Sequence, residues 1–74
     1  MHYKTHLNDD ERALIDEACD AEMDNCGQFF KLVYDADTSA GAKLLFESDE
    51  GARFWVALRM KTDGTIERNE FAAK

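Results

Sequence analysis

The hydrophobic period of this chain changes once, at Gly27, from 3.6 residues to two. Before Gly27, "DDERALIDEACDAEMDNC" places Leu14, Ile15, Ala18, Cys19, Met23 and Cys26 on one arc of a helix. Asp9, Asp10, Asp16, Glu17, Asp20 and Asp24 fall on the opposite arc. Asn8 followed by Glu11 has the spacing of a capping box, and three acids in the first turn suit the helix dipole. Gly27 is a good residue to end the helix. These signals predict an amphipathic helix over residues 8–26.

Beyond Gly27 the alternation predicts strands over 28–35, 42–47, 52–61 and 65–71. They are separated by "DADTSAG", "SDEG" and an Asp-Gly hairpin in "KTDGT". Connections this short favour antiparallel neighbours. The expected architecture is an α+β fold in two layers, one acidic N-terminal helix packed on a four-stranded antiparallel meander (α-β-β-β-β). At 74 residues this is a single small domain, with residues 1–6 as a short extended arm.

One helix covers one face of such a sheet. The more apolar face carries Phe30, Leu32, Tyr34, Leu44, Phe46, Phe54, Val56, Leu58, Met60 and Ile66, and the helix should lie there. The reverse face would show Phe29, Val33, Leu45, Trp55, Ala57 and Phe71, ringed by Lys31, Arg53, Arg59 and Lys61. A contiguous apolar surface of that kind marks an interaction site. Trp and Arg are also the residues most enriched at interface hot spots. Phe29, Val33, Leu45, Arg53, Trp55, Arg59 and Lys61 are therefore the candidate partner or homodimer interface. The competing expectation is that the sheet curls and Trp55 is ordinary core.

Charge defines a second candidate surface. Residues 1–26 hold eight acids against Lys4 and Arg12, whereas residues 27–74 hold eight acids against seven bases. Almost all of the net −7 lies in the first third. Asp16, Asp20 and Asp24 repeat every four residues, roughly 6 Å of rise each. A row of carboxylates can imitate a phosphate strand, occupy the basic cleft of a nucleic-acid-binding protein and steer association with it. Asp9, Asp16, Glu17, Asp20 and Asp24 are thus the candidate partner-binding face. The functional expectation is a small acidic protein-binding module, a modulator or inhibitor of the phage or mobile-element type. It would act as a DNA mimic on a basic surface of a larger protein. The alternative is a homo-oligomeric structural module in which Trp55 lies at the dimer interface and the acids only solubilise. The same charge argues against direct nucleic-acid binding, including base stacking on the Trp55 face.

Catalytic and metal chemistry find little support. No Gly-x-Ser-x-Gly or phosphate-binding glycine loop is present, and no acid or histidine is spaced to form a dyad with Glu22. Glu22 itself breaks the apolar arc and calls for a base such as Lys43 or Arg68. Asp35, Asp37 and Ser39 match the start of a calcium loop, but Ala40 is inserted before Gly41 and Glu47 comes one place late, so a turn is expected. His2, His6, Cys19 and Cys26 lack zinc-finger spacing. Cys19 and Cys26 lie roughly 10 Å apart along one helix, too far for a disulfide, and are read as reduced thiols. The expectation is a non-enzyme with no cofactor and no metal. No run approaches the ~20 apolar residues that span a bilayer, and the N-terminus lacks a secretory signal. A cytoplasmic location without membrane contact follows as an expectation.

Overall fold

The computed structural model describes residues 7–73. The arm expected over residues 1–6 lies outside them. Helix α1 spans Asp9–Cys26, and four strands follow: β1 Phe30–Thr38, β2 Gly41–Ser48, β3 Arg53–Met60 and β4 Ile66–Ala73. The strands form one antiparallel sheet in the order β1-β2-β3-β4. The helix lies on one face, over β2 and β3 and against β1. The chain is an α+β meander with one acidic helix, as the change of period predicts.

The helix begins where its capping chemistry is. Asn8 Oδ1 accepts from the Glu11 amide at 2.8 Å, and the Asn8 amide donates to Glu11 Oε1 at 3.1 Å. It ends at Gly27, whose amide donates to the Met23 carbonyl at 2.8 Å. Gly27 keeps a right-handed conformation, φ −64°. Close approach is the requirement there, since a Cβ would crowd the Met23 carbonyl oxygen.

Ile15 is the fully buried helical residue, seated on Leu44, Phe46, Val56 and Leu58, with Ala42 and Met60 completing the core. Ala18, Cys19, Met23 and Cys26 pack around it. Leu14, expected on the apolar arc, is 45% exposed at its margin. Phe30 stands edge-on to Phe54, which stacks on Phe46. Glu22, 9% exposed, accepts from Arg68 Nε at 2.7 Å. The base that its position calls for is therefore Arg68, reaching in from β4. The bond holds the Arg68 guanidinium more firmly protonated, against a smaller opposing effect of burial.

The first hairpin departs from expectation. β1 runs on to Thr38, so "DADT" is strand, and only Ser39 and Ala40 turn before β2. The register shifts between Leu32, opposite Phe46, and Tyr34, opposite Leu45, leaving Val33 as an extra, bulged residue. A bulge moves every later side chain to the other face. Tyr34, expected in the core, therefore lies on the outer face, while Asp35 and Asp37 turn to the helix side opposite Leu44 and Ala42. Gly41 opens β2 because a Cβ would overlap the Leu58 carbonyl oxygen. The Asp-Gly hairpin forms as expected, with Gly64 at φ +87° and Asp63 accepting from the Thr65 amide and hydroxyl. The Thr65 hydroxyl, then its amide, hold the Asp63 carboxyl below the usual carboxylate range.

Candidate functional site

Register determines which side chains share the uncovered face. Opposite partners across all four strands form the row Tyr34–Leu45–Trp55–Phe71. Tyr34 and Phe71, on the two edge strands, are 50% and 52% exposed, and Leu45 and Trp55 between them are half-buried. The Tyr34 ring meets Trp55 edge-on at 6.0 Å, and Lys43 Nζ lies 5.2 Å from the Trp55 ring centroid. On one flank runs Lys31–Glu47–Arg53–Ala73. On the other lie Ala36–Lys43–Ala57–Asn69 and then Thr38–Gly41–Arg59–Glu67.

The two arginines of this face are committed to acids on it. Arg53 Nε donates to Glu47 at 3.1 Å, and Arg59 donates to Glu67 through Nη2 at 2.7 Å and Nε at 3.0 Å. Of the residues expected on this face, Lys31, Leu45, Arg53, Trp55, Ala57, Arg59 and Phe71 share it. Lys61 does not belong there, because β3 ends at Met60 and Lys61 opens the β3–β4 turn. Phe29 lies in the turn after the helix and is 73% exposed, and Val33 sits at the bulge.

The helix side carries the opposite balance. Asp9, Asp16, Glu17, Asp20 and Asp24 are all exposed on α1. A groove of about 380 Å³ between α1 and β1 brings Asp35 and Asp37 to the same surface as Asp16 and Asp20. Arg12 bridges the two elements: its guanidinium donates to Asp37 at 2.6 Å, to the Gly41 carbonyl at 3.1 Å and to Asp16 at 3.5 Å. Among the described residues, Asp9, Asp10, Glu17, Asp20, Asp24 and Asp35 have no ion-pair partner. Sequence reasoning missed the place of Asp35 and Asp37 beside the helix, having set Asp35 at the end of the first strand and Asp37 in the loop after it. The usable signal was the alternation of Asp35 and Asp37 with Ala36 and Thr38, which is a strand period.

Chemistry at the cysteines is subdued. Burial, followed by the negative charge of Asp16, pushes the Cys19 thiol above its ordinary pKa. Burial, followed by Glu22, does the same for Cys26. Both thiols are protonated near neutral pH, the unreactive form. Asp35 and Asp37 stand on a strand and not in a calcium-type loop. Among the described residues no three acids, cysteines or histidines converge as a ligand set. His2 and His6 lie outside the described residues. No described helix is long and apolar enough to cross a membrane.

No family model matches this chain. No curated protein matches it in sequence, and no solved structure matches it.

Proposed function

We propose that the chain is a small protein-binding module that acts through its acidic face, docking Asp16, Asp20 and Asp24 on a basic, nucleic-acid-binding surface of a larger protein. One observation carries this reading. Asp9, Asp10, Glu17, Asp20, Asp24 and Asp35 are left without an ion-pair partner on the helix side among the described residues, where Arg12 engages only Asp16 and Asp37, whereas the arginines of the sheet face are each paired with a glutamate. Charge kept only for solubility has no need to be sorted in this way. Asp35 and Asp37 widen the row into a two-element acidic surface beside the helix. Asp9 and Glu17 extend it along α1. Such a surface competes with a phosphate backbone for the same bases and raises the rate of encounter with them.

A modulator or inhibitor that excludes nucleic acid from its partner, of the phage or mobile-element type, is the role that follows, in the cytoplasm and without catalysis. Direct nucleic-acid binding is disfavoured because Arg53 and Arg59 are engaged with Glu47 and Glu67. A second reading, a homo-oligomeric module, rests on the exposed aromatic row.

The test is capture by the immobilised protein from the heparin-binding fraction of a lysate. Wild type should retain basic proteins that salt and duplex DNA release. The variant with Asp16→Lys, Asp20→Lys and Asp24→Lys should retain none of them while melting within a few degrees of wild type. Capture that survives the reversal, that DNA does not release, or that fails with wild type contradicts the proposal.

A further inference from the structure

The outer sheet face is complementary to itself, and we infer that it is the interface between two copies of this chain, packed sheet on sheet about a two-fold axis that lies between β2 and β3 and runs along the strands. This goes beyond the acidic-face reading and does not depend on it. Such an axis superposes β1 of one copy on β4 of the other, and β2 on β3. Each row defined by the strand register then meets itself reversed. In the apolar row Tyr34 lies over Phe71 of the second copy, and Leu45 over its Trp55. In the first flanking row Glu47 lies over Arg53 of the second copy and Arg53 over its Glu47, while Lys31 meets an alanine. Beyond the apolar row, Lys43 meets Ala57, Arg59 meets Gly41, Glu67 meets Thr38 and Asn69 meets Ala36. No like charges face each other in any row. An axis running across the strands midway between the Trp55 and Ala57 rows would instead set Arg59 against Arg53, so charge favours the first arrangement over that one.

Size and packing agree with this choice. Four strands about 4.8 Å apart and at least eight residues long, at about 3.3 Å each, span roughly 500 Å². Two copies therefore remove at least about 1,000 Å² from water, the lower bound for a specific interface. Aligned sheets cross at about 30°, which the axis accommodates if the strands of each copy lean about 15° from it. The contacts nearest the axis, Leu45 on Trp55 and Glu47 on Arg53, move least under that twist. The dimer is a four-layer α/β–β/α sandwich with its two acidic faces outward, so two basic partners can bind at once.

Sedimentation equilibrium of the full chain tests this, at concentrations up to about 100 μM. Wild type should sediment at twice the 8.4 kDa chain mass. Trp55→Glu, and independently Phe71→Ser at an exposed position, should sediment at the chain mass with an unchanged circular dichroism spectrum. Glu47→Arg and Arg53→Glu should each be monomeric alone and dimerise with one another when mixed, because two bases in one copy then face two acids in the other. A wild-type monomer throughout, a dimer indifferent to both Trp55→Glu and Phe71→Ser, assembly beyond the dimer, or charge variants that ignore each other would each overturn the inference.

Discussion

Tyr34→Ala separates the bulged first strand from an unbroken one. With the bulge at Val33, the Tyr34 ring lies on the outer face, 50% exposed and edge-on to Trp55 at 6.0 Å. A buried aromatic side chain removes about 200 Å² from water. Half of that is ~100 Å², which at ~25 cal/mol/Å² is about 2.5 kcal/mol. A compact unfolded ensemble lowers the figure to about 2 kcal/mol. In an unbroken strand the ring would enter the core, and its truncation would cost about 3–5 kcal/mol. Coupling to Trp55 distinguishes the two arrangements further. An edge-on aromatic pair contributes about 1 kcal/mol beyond burial, whereas rings on opposite faces contribute nothing to each other.

The assay is a double-mutant cycle of Tyr34→Ala and Trp55→Ala, with urea unfolding followed by far-UV circular dichroism. Running it over a range of protein concentrations separates folding from association. The single Tyr34 variant should lose about 2 kcal/mol, which for a domain of this size lowers Tm by about 10 °C. A loss above about 3 kcal/mol with no coupling to Trp55 would refute the bulge and the outer-face row built on it.

Three further outcomes follow from the packing. Arg68→Ala should cost about 1–3 kcal/mol by leaving the near-buried Glu22 carboxylate without its donor, whereas Glu22→Met should stay within about 1 kcal/mol of wild type; equal losses in urea melts would mean that the pair is not formed. Gly41→Ala should cost more than Gly51→Ala, because the first drives a methyl into the Leu58 carbonyl while the second strains only an open position at φ +88°, a penalty of about 1–2 kcal/mol; thermal melts in the reverse order would contradict the strand register. Both cysteine thiols are raised in the fold, so their contribution is intact below the ordinary thiol pKa of about 8.5 and is lost as pH rises through the higher folded values; a combined Cys19→Ser and Cys26→Ser variant should lose less stability between neutral pH and pH ~10 than wild type does, and parallel pH profiles would count against that assignment.

Much of the fold is legible from local rules. The capping box at Asn8 and Glu11, the stop at Gly27 and the Asp-Gly hairpin are each specified by a few adjacent residues. The alternation in "RFWVALRM" places Trp55 on the uncovered face without knowledge of the neighbouring strands. Tyr34 was not legible, because a bulge is set by pairing with β2 and leaves "FKLVYD" looking regular. The same event hid Asp35 and Asp37, whose place beside Asp16 and Asp20 depends on the bulge and on a two-residue turn at Ser39–Ala40 that carries no glycine. Side-chain pairing across strands was equally out of reach. Arg53 and Arg59 read as unengaged anchors until the register set Glu47 and Glu67 opposite them.

The acidic face as the surface a partner touches can be read residue by residue from amide chemical shifts of the labelled protein, as the DNA-releasable basic protein recovered by capture is titrated in. Shifts should concentrate at Asp16, Asp20 and Asp24 of α1 and at Asp35 and Asp37 of β1, and should weaken with salt. Shifts confined to Leu45, Trp55 and Phe71, with the helix unmoved, would show that the partner binds the sheet and that the acidic row only keeps the protein in solution.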